Sequence, residues 1–155
     1  MAVIAVISRV AEASVTADGV PCGAIGAGLL LLLGVAQGDT GEDVRLLAEK
    51  ISRLRIFCDG CGKMNRSVRD IDGEVLVVSN FTLLANYVHG NRPDFLAAAA
   101  PSVAEPLYED FLDAMRGLVR YVAHGKFGAD MKIASVSDGP VTIVMDSAKL
   151  RKKNV

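Results

Sequence analysis

The chain has 155 residues, with 51% hydrophobic and 23% charged content and a formal net charge of −1. That length and apolar share suit one compact domain with a sizeable core, and the near-neutral charge excludes a protein coated in basic residues for nucleic acid. The longest apolar run, Leu29 to Leu33 with Val35 and Ala36 beyond Gly34, falls far short of the roughly 20 residues of a membrane helix. The opening segment Met1 to Ile7 is apolar, but it lacks a leading positive charge and Ser8-Arg9 interrupts it early. It does not read as a signal peptide, so a cytoplasmic location is expected.

In chain order, Val3 to Val10 reads as a buried strand that Ala13 to Thr16 continues. Ala17-Asp18-Gly19 is a turn and Val20 to Ile25 returns as a second strand. Gly26-Ala27-Gly28 breaks the chain before Leu29 to Val35, whose unbroken apolar run predicts a strand buried on both faces. The glycines at 23, 26 and 28 lack the strand-loop-helix order and the Lys-Ser/Thr of a phosphate loop, and read as hairpin glycines. Thr40 predicts a helix cap, with Glu42 and Asp43 suited to the positive end of the helix dipole. Val44, Leu47, Ile51 and Leu54 follow at helical spacing to an end near Phe57, and Cys58 to Asn65 reads as a loop.

Glu74 to Ser79 is a further buried strand, running into Ser79-Asn80-Phe81-Thr82-Leu83, and Asn86 to Asp94 is a polar excursion. A second helix is predicted over about Ser102 to Val119, with Ser102-x-x-Glu105 as a capping box and Leu107, Phe111, Met115 and Leu118 as its buried stripe. Three strand-like stretches close the chain: Arg120 to Val122, Met131 to Val136 and Val141 to Met145. The pattern predicts an α/β fold, a single compact domain of mixed β-sheets with two main helices, spanning 1–147, and a flexible basic tail over 148–155.

Between the last two stretches stands Ser137-Asp138-Gly139-Pro140. Proline cannot donate to a sheet ladder, so the local reading is a hairpin turn. The usual catalytic sets are missing: there is no G-x-S-x-G elbow, no H-E-x-x-H and no evident carboxylate pair, and His89 and His124 both fall in loops. Cys58-Asp59-Gly60-Cys61 is a single C-x-x-C, which supplies two of the four ligands a structural zinc needs, and it follows a helix rather than opening one as a redox pair would. No metal and no cofactor is therefore expected, with a zinc or redox role for Cys58 and Cys61 as an alternative. The odd count of three cysteines argues against a disulfide framework. Basic residues cluster at Arg53 and Arg55, at Lys63, Arg66 and Arg69, and in the tail at Lys149, Arg151, Lys152 and Lys153; a solvated face is the plain reading of each. Ser79 and Thr82 lie at the exit of a buried strand, where ligand sites of α/β folds gather, although neither has a base beside it in sequence. Phe127-Gly128-Ala129-Asp130-Met131 could form a flat apolar slot for a nucleobase, or simply core.

Taken together these segments resemble the D-aminoacyl-tRNA deacylase family, also called D-tyrosyl-tRNA deacylase. Ser79-Asn80-Phe81-Thr82-Leu83 is similar to its Ser-Gln-x-x-Leu motif, and Asp138-Gly139-Pro140-Val141-Thr142 to its Asn-x-Gly-Pro-Val-Thr motif, with Ser137 at the first position. Supporting matches include Arg9-Val10, Leu54-Arg55-Ile56-Phe57, Gly62-Lys63-Met64-Asn65, Gly90-Asn91-Arg92-Pro93 and Gly125-Lys126-Phe127-Gly128-Ala129. The likeness covers about residues 2 to 147.

The resemblance implies a deacylase fold and a homodimeric hydrolase that cleaves the ester between a D-amino acid, or glycine, and the 3′ end of aminoacyl-tRNA. It implies a cis Gly139-Pro140 bond on an element inserted into the partner's pocket, where the two carbonyls face the substrate's α-carbon and amino group. It places Thr82, Phe81, Ser79 and Asn80 at the reaction centre, with backbone N–H groups near Phe81 and Thr82 as oxyanion donors. Phe127, Met131 and the alanine run containing Ala98 would lie near the terminal adenosine, with Arg9 among the substrate-binding residues. It further implies that the ribose 2′-hydroxyl assists the attack. Asn80 in place of Gln, and Ser8 in place of a Gln before Arg9-Val10, depart from the pattern. A related RNA-end-binding or tRNA-editing variant with altered specificity is the alternative reading.

Overall fold

The computed structural model describes residues 2–152. Its strands are β1 (Ile4–Ala17), β2 (Val20–Ile25), β3 (Gly28–Gly34), β4 (Phe57–Cys58), β5 (Met64–Arg66), β6 (Glu74–Ser79), β7 (Tyr121–His124) and β8 (Met131–Asp146). Its helices are α1 (Gly41–Arg53), α2 (Pro101–Arg116) and α3 (Ser147–Lys152), with a short 3-10 helix at Phe81–Leu84. The main sheet has the order β2-β1-β3-β6-β7, and β8 also pairs along β1. β3 and β6 are parallel, joined through α1, and β6 and β7 are parallel, joined through α2.

The leucine run of β3 is explained by burial on both faces. Leu29, Leu31 and Leu33 point into a core closed by Val44, Leu47 and Ile51 of α1 and by Phe111, Leu112 and Met115 of α2. Leu30 and Leu32 point the other way, into a second core with Val10, Val15, Ile25, Leu76 and Val78. A strand sandwiched in this way has no polar face to display. Gly28 opens β3 against Glu74, and a Cβ there would come within 1.8 Å of the Glu74 carbonyl oxygen, so only glycine permits this strand pair.

Several boundaries differ from the sequence expectations. α1 ends at Arg53, because Leu54 is already extended. Part of the predicted 58–65 loop is a small hairpin, in which β4 pairs with β5. The Asp59 carboxylate accepts the Lys63 and Cys61 N–H groups at 3.1 and 2.8 Å, and these bonds hold its carboxyl below the usual range. α2 begins at Pro101, not Ser102, and Ala100 rather than Ser102 occupies the cap position, without a side-chain cap. Proline suits a first helical turn, because its missing N–H would have no partner there. The helix stops at Arg116 with Gly117 at its end, short of Val119.

The predicted turn at Gly139-Pro140 is absent: β8 is one strand of 16 residues that passes through the pair. Its ladder with β1 jumps from Val10↔Ser137 to Ser8↔Thr142, so Asp138 to Val141 stand out as a bulge opposite Arg9. The Gly139-Pro140 peptide is cis.

The tail expected from 148 onward begins instead as α3. The Arg151 guanidinium pairs with the fully buried Asp43 carboxylate at 2.9 Å, and the Ser147 hydroxyl donates to the same oxygen at 3.0 Å. The other Asp43 oxygen accepts the Thr40 N–H at 3.0 Å, so one carboxylate ties the start of α1 to the end of the chain. The basic residue Lys153 lies outside the described residues.

Nearby Asp39 is buried, and one of its carboxylate oxygens accepts the Ala36 N–H at 2.6 Å while the other has no partner among the described residues. Burial pushes its carboxyl up to about 6. The folded chain then holds this proton more tightly than the unfolded chain, so stability falls as pH rises from about 4 to 6. Asp39→Asn is expected to stabilise the protein by about 1 kcal/mol at pH 7, after discounting for solvent screening, and not at pH 4. Denaturant titration at the two pH values checks this; an equal gain at both would remove ionisation as its cause.

Candidate active site

A cavity of about 780 Å³ opens at the C-terminal ends of the parallel strands β3 and β6, a size typical of small-ligand sites. The helices that follow β3 and β6 pack together on one face of the sheet, and the crevice lies beyond the strand ends, between the segments that lead to those helices and the start of β8. Leu32, Leu33 and Val35 line it from β3 and its exit, and Val78, Ser79, Asn80, Phe81 and Thr82 from β6 and the 3-10 helix. Phe95, Ala98, Ala99, Pro101, Ala104 and Tyr108 form one wall, and Phe127, Gly128, Ala129, Asp130, Met131 and Ile133 the opposite one.

Local packing holds the 3-10 segment in place. The Asn80 N–H donates to the Leu33 carbonyl at 2.8 Å. Gly34 lies directly beneath: a Cβ there would come 2.9 Å from the Asn80 carbonyl oxygen and 2.7 Å from Leu84 Cδ2. The Asn80 side-chain oxygen accepts both the Thr82 N–H, at 3.2 Å, and the Thr82 hydroxyl. Thr82 therefore spends its donors on its neighbour. Among the described residues none accepts from the Phe81 N–H, which leaves it as the donor of this turn available to a ligand. The Phe81 ring meets Phe95 edge-on at 5.1 Å across the cavity mouth, and Tyr108 packs against Phe127 at 5.8 Å.

Asp130 and Tyr108 are the titratable residues that line the cavity. Burial pushes the Tyr108 phenol well above its ordinary range, and its hydroxyl donates to the Val77 carbonyl at 3.1 Å, so it is held as a neutral packing group. Among the described residues the lining contains no histidine, cysteine or lysine. The site can hold a flat, mostly apolar ligand and offers few groups that could exchange a proton with it.

Seven of the ten residues singled out from sequence meet here: Ser79, Asn80, Phe81, Thr82, Ala98, Phe127 and Met131. Gly139, Pro140 and Arg9 do not. Gly139 and Pro140 are exposed and lie six and seven residues beyond Ile133, about 20 Å along an extended strand. Arg9 is buried beneath their bulge, with Nε donating to the Asp138 carbonyl at 3.1 Å and Nη1 to the Ile56 carbonyl at 2.7 Å. Its charge also faces Asp138 Oδ2 at 3.6 Å. Gly139 has φ +124, and a Cβ there would lie 3.0 Å from Arg9 Nη2. Of the two departures from the family pattern, Asn80 lines the cavity, while Ser8 sits in the sheet between Leu30 and Thr142. Cys58 and Cys61 are exposed around the β4–β5 hairpin, with Cys58 Sγ 3.9 Å from Arg9 Nη1.

Residues 6–146 match the D-Tyr-tRNA(Tyr) deacylase family. The chain belongs to that family. Its relatives match along nearly the whole length. The D-aminoacyl-tRNA deacylase of Chloroflexus aurantiacus is 58% identical over 147 residues, covering 95% of this chain and 92% of the relative. That of Akkermansia muciniphila is 54% identical, covering 93% and 97%. Among solved structures, the c-Myc DNA unwinding element binding protein superposes with a TM-score of 0.87 at 42% identity, over 92% of this chain and 97% of the other. A probable eukaryotic D-amino acid tRNA deacylase superposes with a TM-score of 0.83 at 17% identity, over 94% of this chain and all of the other, a likeness of fold.

Sequence reasoning missed Phe95, Pro101 and Tyr108 in the cavity wall that Ala98 shares. Tyr108 lies beside the predicted apolar stripe of α2, where a single phenol gives no sign that it borders a cavity as well as the core. Among the described residues no helix is long and apolar enough to cross a membrane.

Proposed function

We propose that the protein is a homodimer that hydrolyses the ester joining a D-amino acid, or glycine, to the terminal adenosine of tRNA, with Gly139 and Pro140 of each subunit reading chirality in the cavity of the other. The observation that carries this reading is the position of Gly139-Pro140: exposed, braced from below by the buried Arg9, and about 20 Å along the strand from the chain's own cavity. A two-fold dimer lets one patch on each subunit meet a different patch on its partner twice.

Backbone carbonyls are a rigid filter. They can accept from the substrate's ammonium, and they cannot rotate away from a clashing side chain as a side-chain filter could. A D-residue directs its side chain outward, an L-residue directs it against the carbonyls, and glycine has none to clash. Arg9 serves here as a positioning residue, holding the Asp138 carbonyl and with it the exposed bulge that carries Gly139 and Pro140. In the cavity, Phe127 and Met131 flank the adenine, and the Phe81 N–H donates to the oxygen that gains charge as water adds to the ester carbonyl. Thr82 orients the turn through Asn80. The one carboxylate of the lining, Asp130, is exposed on the wall opposite Phe95 and Tyr108; the proton relay is instead the ribose 2′-hydroxyl, which hydrogen-bonds the attacking water and the departing 3′-oxygen, and the latter leaves with a proton as the acyl bond breaks. A translation-associated role of this kind belongs in the cytoplasm.

Incubation with D-Tyr-, L-Tyr- and Gly-tRNA tests the reading. Rapid loss of D-Tyr and Gly with L-Tyr spared is expected; retention of all three at high enzyme concentration would sink it.

A further inference from the structure

We propose that the basic groove at the C-terminal end of α1 binds the phosphodiester backbone of the substrate tRNA, and that it serves the cavity of the partner subunit rather than its own. The inference rests on the cross-subunit reading above. Arg53, Arg55 and Arg69 line a cavity of about 450 Å³ together with Ser67 and Asp70. An adjoining hollow of about 430 Å³ shares Arg53 and Arg55 and adds Lys50 and one carboxylate, Glu49, so cations still outnumber anions along the groove. All three arginines are exposed, and among the described residues none of them makes an ion pair.

The helix dipole accounts for Lys50 and Arg53, which sit in the last turn of α1. It does not account for Arg55, beyond the helix, or for Arg69, which reaches the same hollow from a separate turn. That turn is stiff: the Asp70 carboxylate accepts the Ser67 N–H at 2.8 Å, and Arg66 donates to the Asp70 carbonyl at 3.0 Å. Asp70 is thus engaged locally, leaving the guanidinium groups to an external anion. Guanidinium forks match phosphate oxygens, and cations spread over two joined hollows fit a chain of phosphates better than a single one.

The topology sets which cavity the groove can serve. α1 leaves the end of β3, where the chain's own cavity opens, and runs back for 13 residues, about 20 Å, to the opposite end of the sheet. There Ile56, the neighbour of Arg55, accepts from the same Arg9 that braces the Gly139-Pro140 bulge. Groove and bulge share one end of the subunit. If the bulge enters the partner's cavity, the groove arrives beside that cavity's mouth, where the acceptor stem must emerge.

Arg55→Ala combined with Arg69→Ala should weaken equilibrium binding of uncharged tRNA about tenfold at 0.1 M salt and lower the salt slope of log Kd by roughly two. The KM for D-Tyr-tRNA should rise in step, while hydrolysis of D-tyrosyl-adenosine, too short to reach the groove, should not change. Unchanged affinity and slope, or an equal loss on the short ester, would overturn the proposal. Failure of the unaltered protein to cleave the short ester would count against the catalytic reading instead, and the binding result would stand by itself. Placement in trans is read from purified mixed dimers that pair the double variant with a chain whose cavity is filled by Ala98→Trp. The working cavity then faces an intact groove and should show the normal KM; a raised KM would place the groove in cis.

Discussion

A D-aminoacyl-tRNA ending in 2′-deoxyadenosine is expected to be hydrolysed about a thousandfold more slowly than the ribose form, whereas Thr82→Ala should keep at least about a tenth of the activity. The asymmetry follows from what surrounds the cavity. Tyr108 is buried, neutral and already donating to Val77, and neither histidine lines the site. Thr82 has no base beside it: its hydroxyl donates to the Asn80 amide oxygen, which cannot take its proton. A nucleophile without a base is a weak one. Asp130 is the one carboxylate of the lining and is exposed; the substrate's own 2′-hydroxyl, on the carbon next to the ester, is adjacent to both the attacking water and the 3′-oxygen, and losing such a group typically costs between a hundredfold and ten-thousandfold. Single-turnover rates at saturating enzyme separate this from weakened binding. A deoxy substrate cleaved at the ribose rate would end the substrate-assisted mechanism. A folded Thr82→Ala protein with no activity would return Thr82 to the centre of the chemistry.

The legible parts of the chain were those with local causes. The leucine run of β3 announced a strand buried on both faces, and the capping residues around Thr40 located the start of α1. Ser79 to Thr82 could be placed at a strand exit because the apolar run ends there. Pro101 defeated the capping-box reading of Ser102, since proline at a first turn leaves no vacancy for a capping hydroxyl one residue later. Gly139-Pro140 was misread locally for a deeper reason. A proline that breaks a ladder looks the same in sequence whether the chain turns back or bulges and continues. What decides is the pairing partner, and β1 continues for 14 residues beside it, over a hundred positions away. The clamp of Asp43 by Arg151 is equally non-local, so a helix looked like a loose basic tail.

Gly139→Ala should lower activity on D-Tyr-tRNA about a hundredfold while leaving the cavity of the same chain intact, and this separation can be exploited. At φ +124 an alanine is strained, and its Cβ would press on Arg9 Nη2 and on Val141, each at 3.0 Å. Relief requires the bulge to shift, and a carbonyl moved by about 1 Å no longer meets the substrate's ammonium and α-carbon. Ala98→Trp has the opposite defect, a filled cavity beside an intact bulge. Each variant alone should be nearly inactive. In a cis arrangement, mixing them restores nothing, because every chain holds one broken half of its own site. In a trans arrangement, a mixed dimer joins the open cavity of one chain to the sound bulge of the other. Random re-pairing of equal amounts makes about half the dimers mixed, each with one working site of two, so recovery to about a quarter of normal activity is expected. Activity that stays at the level of the separate variants, in dimers verified to have exchanged, would show that Gly139 and Pro140 do not act on the partner's substrate.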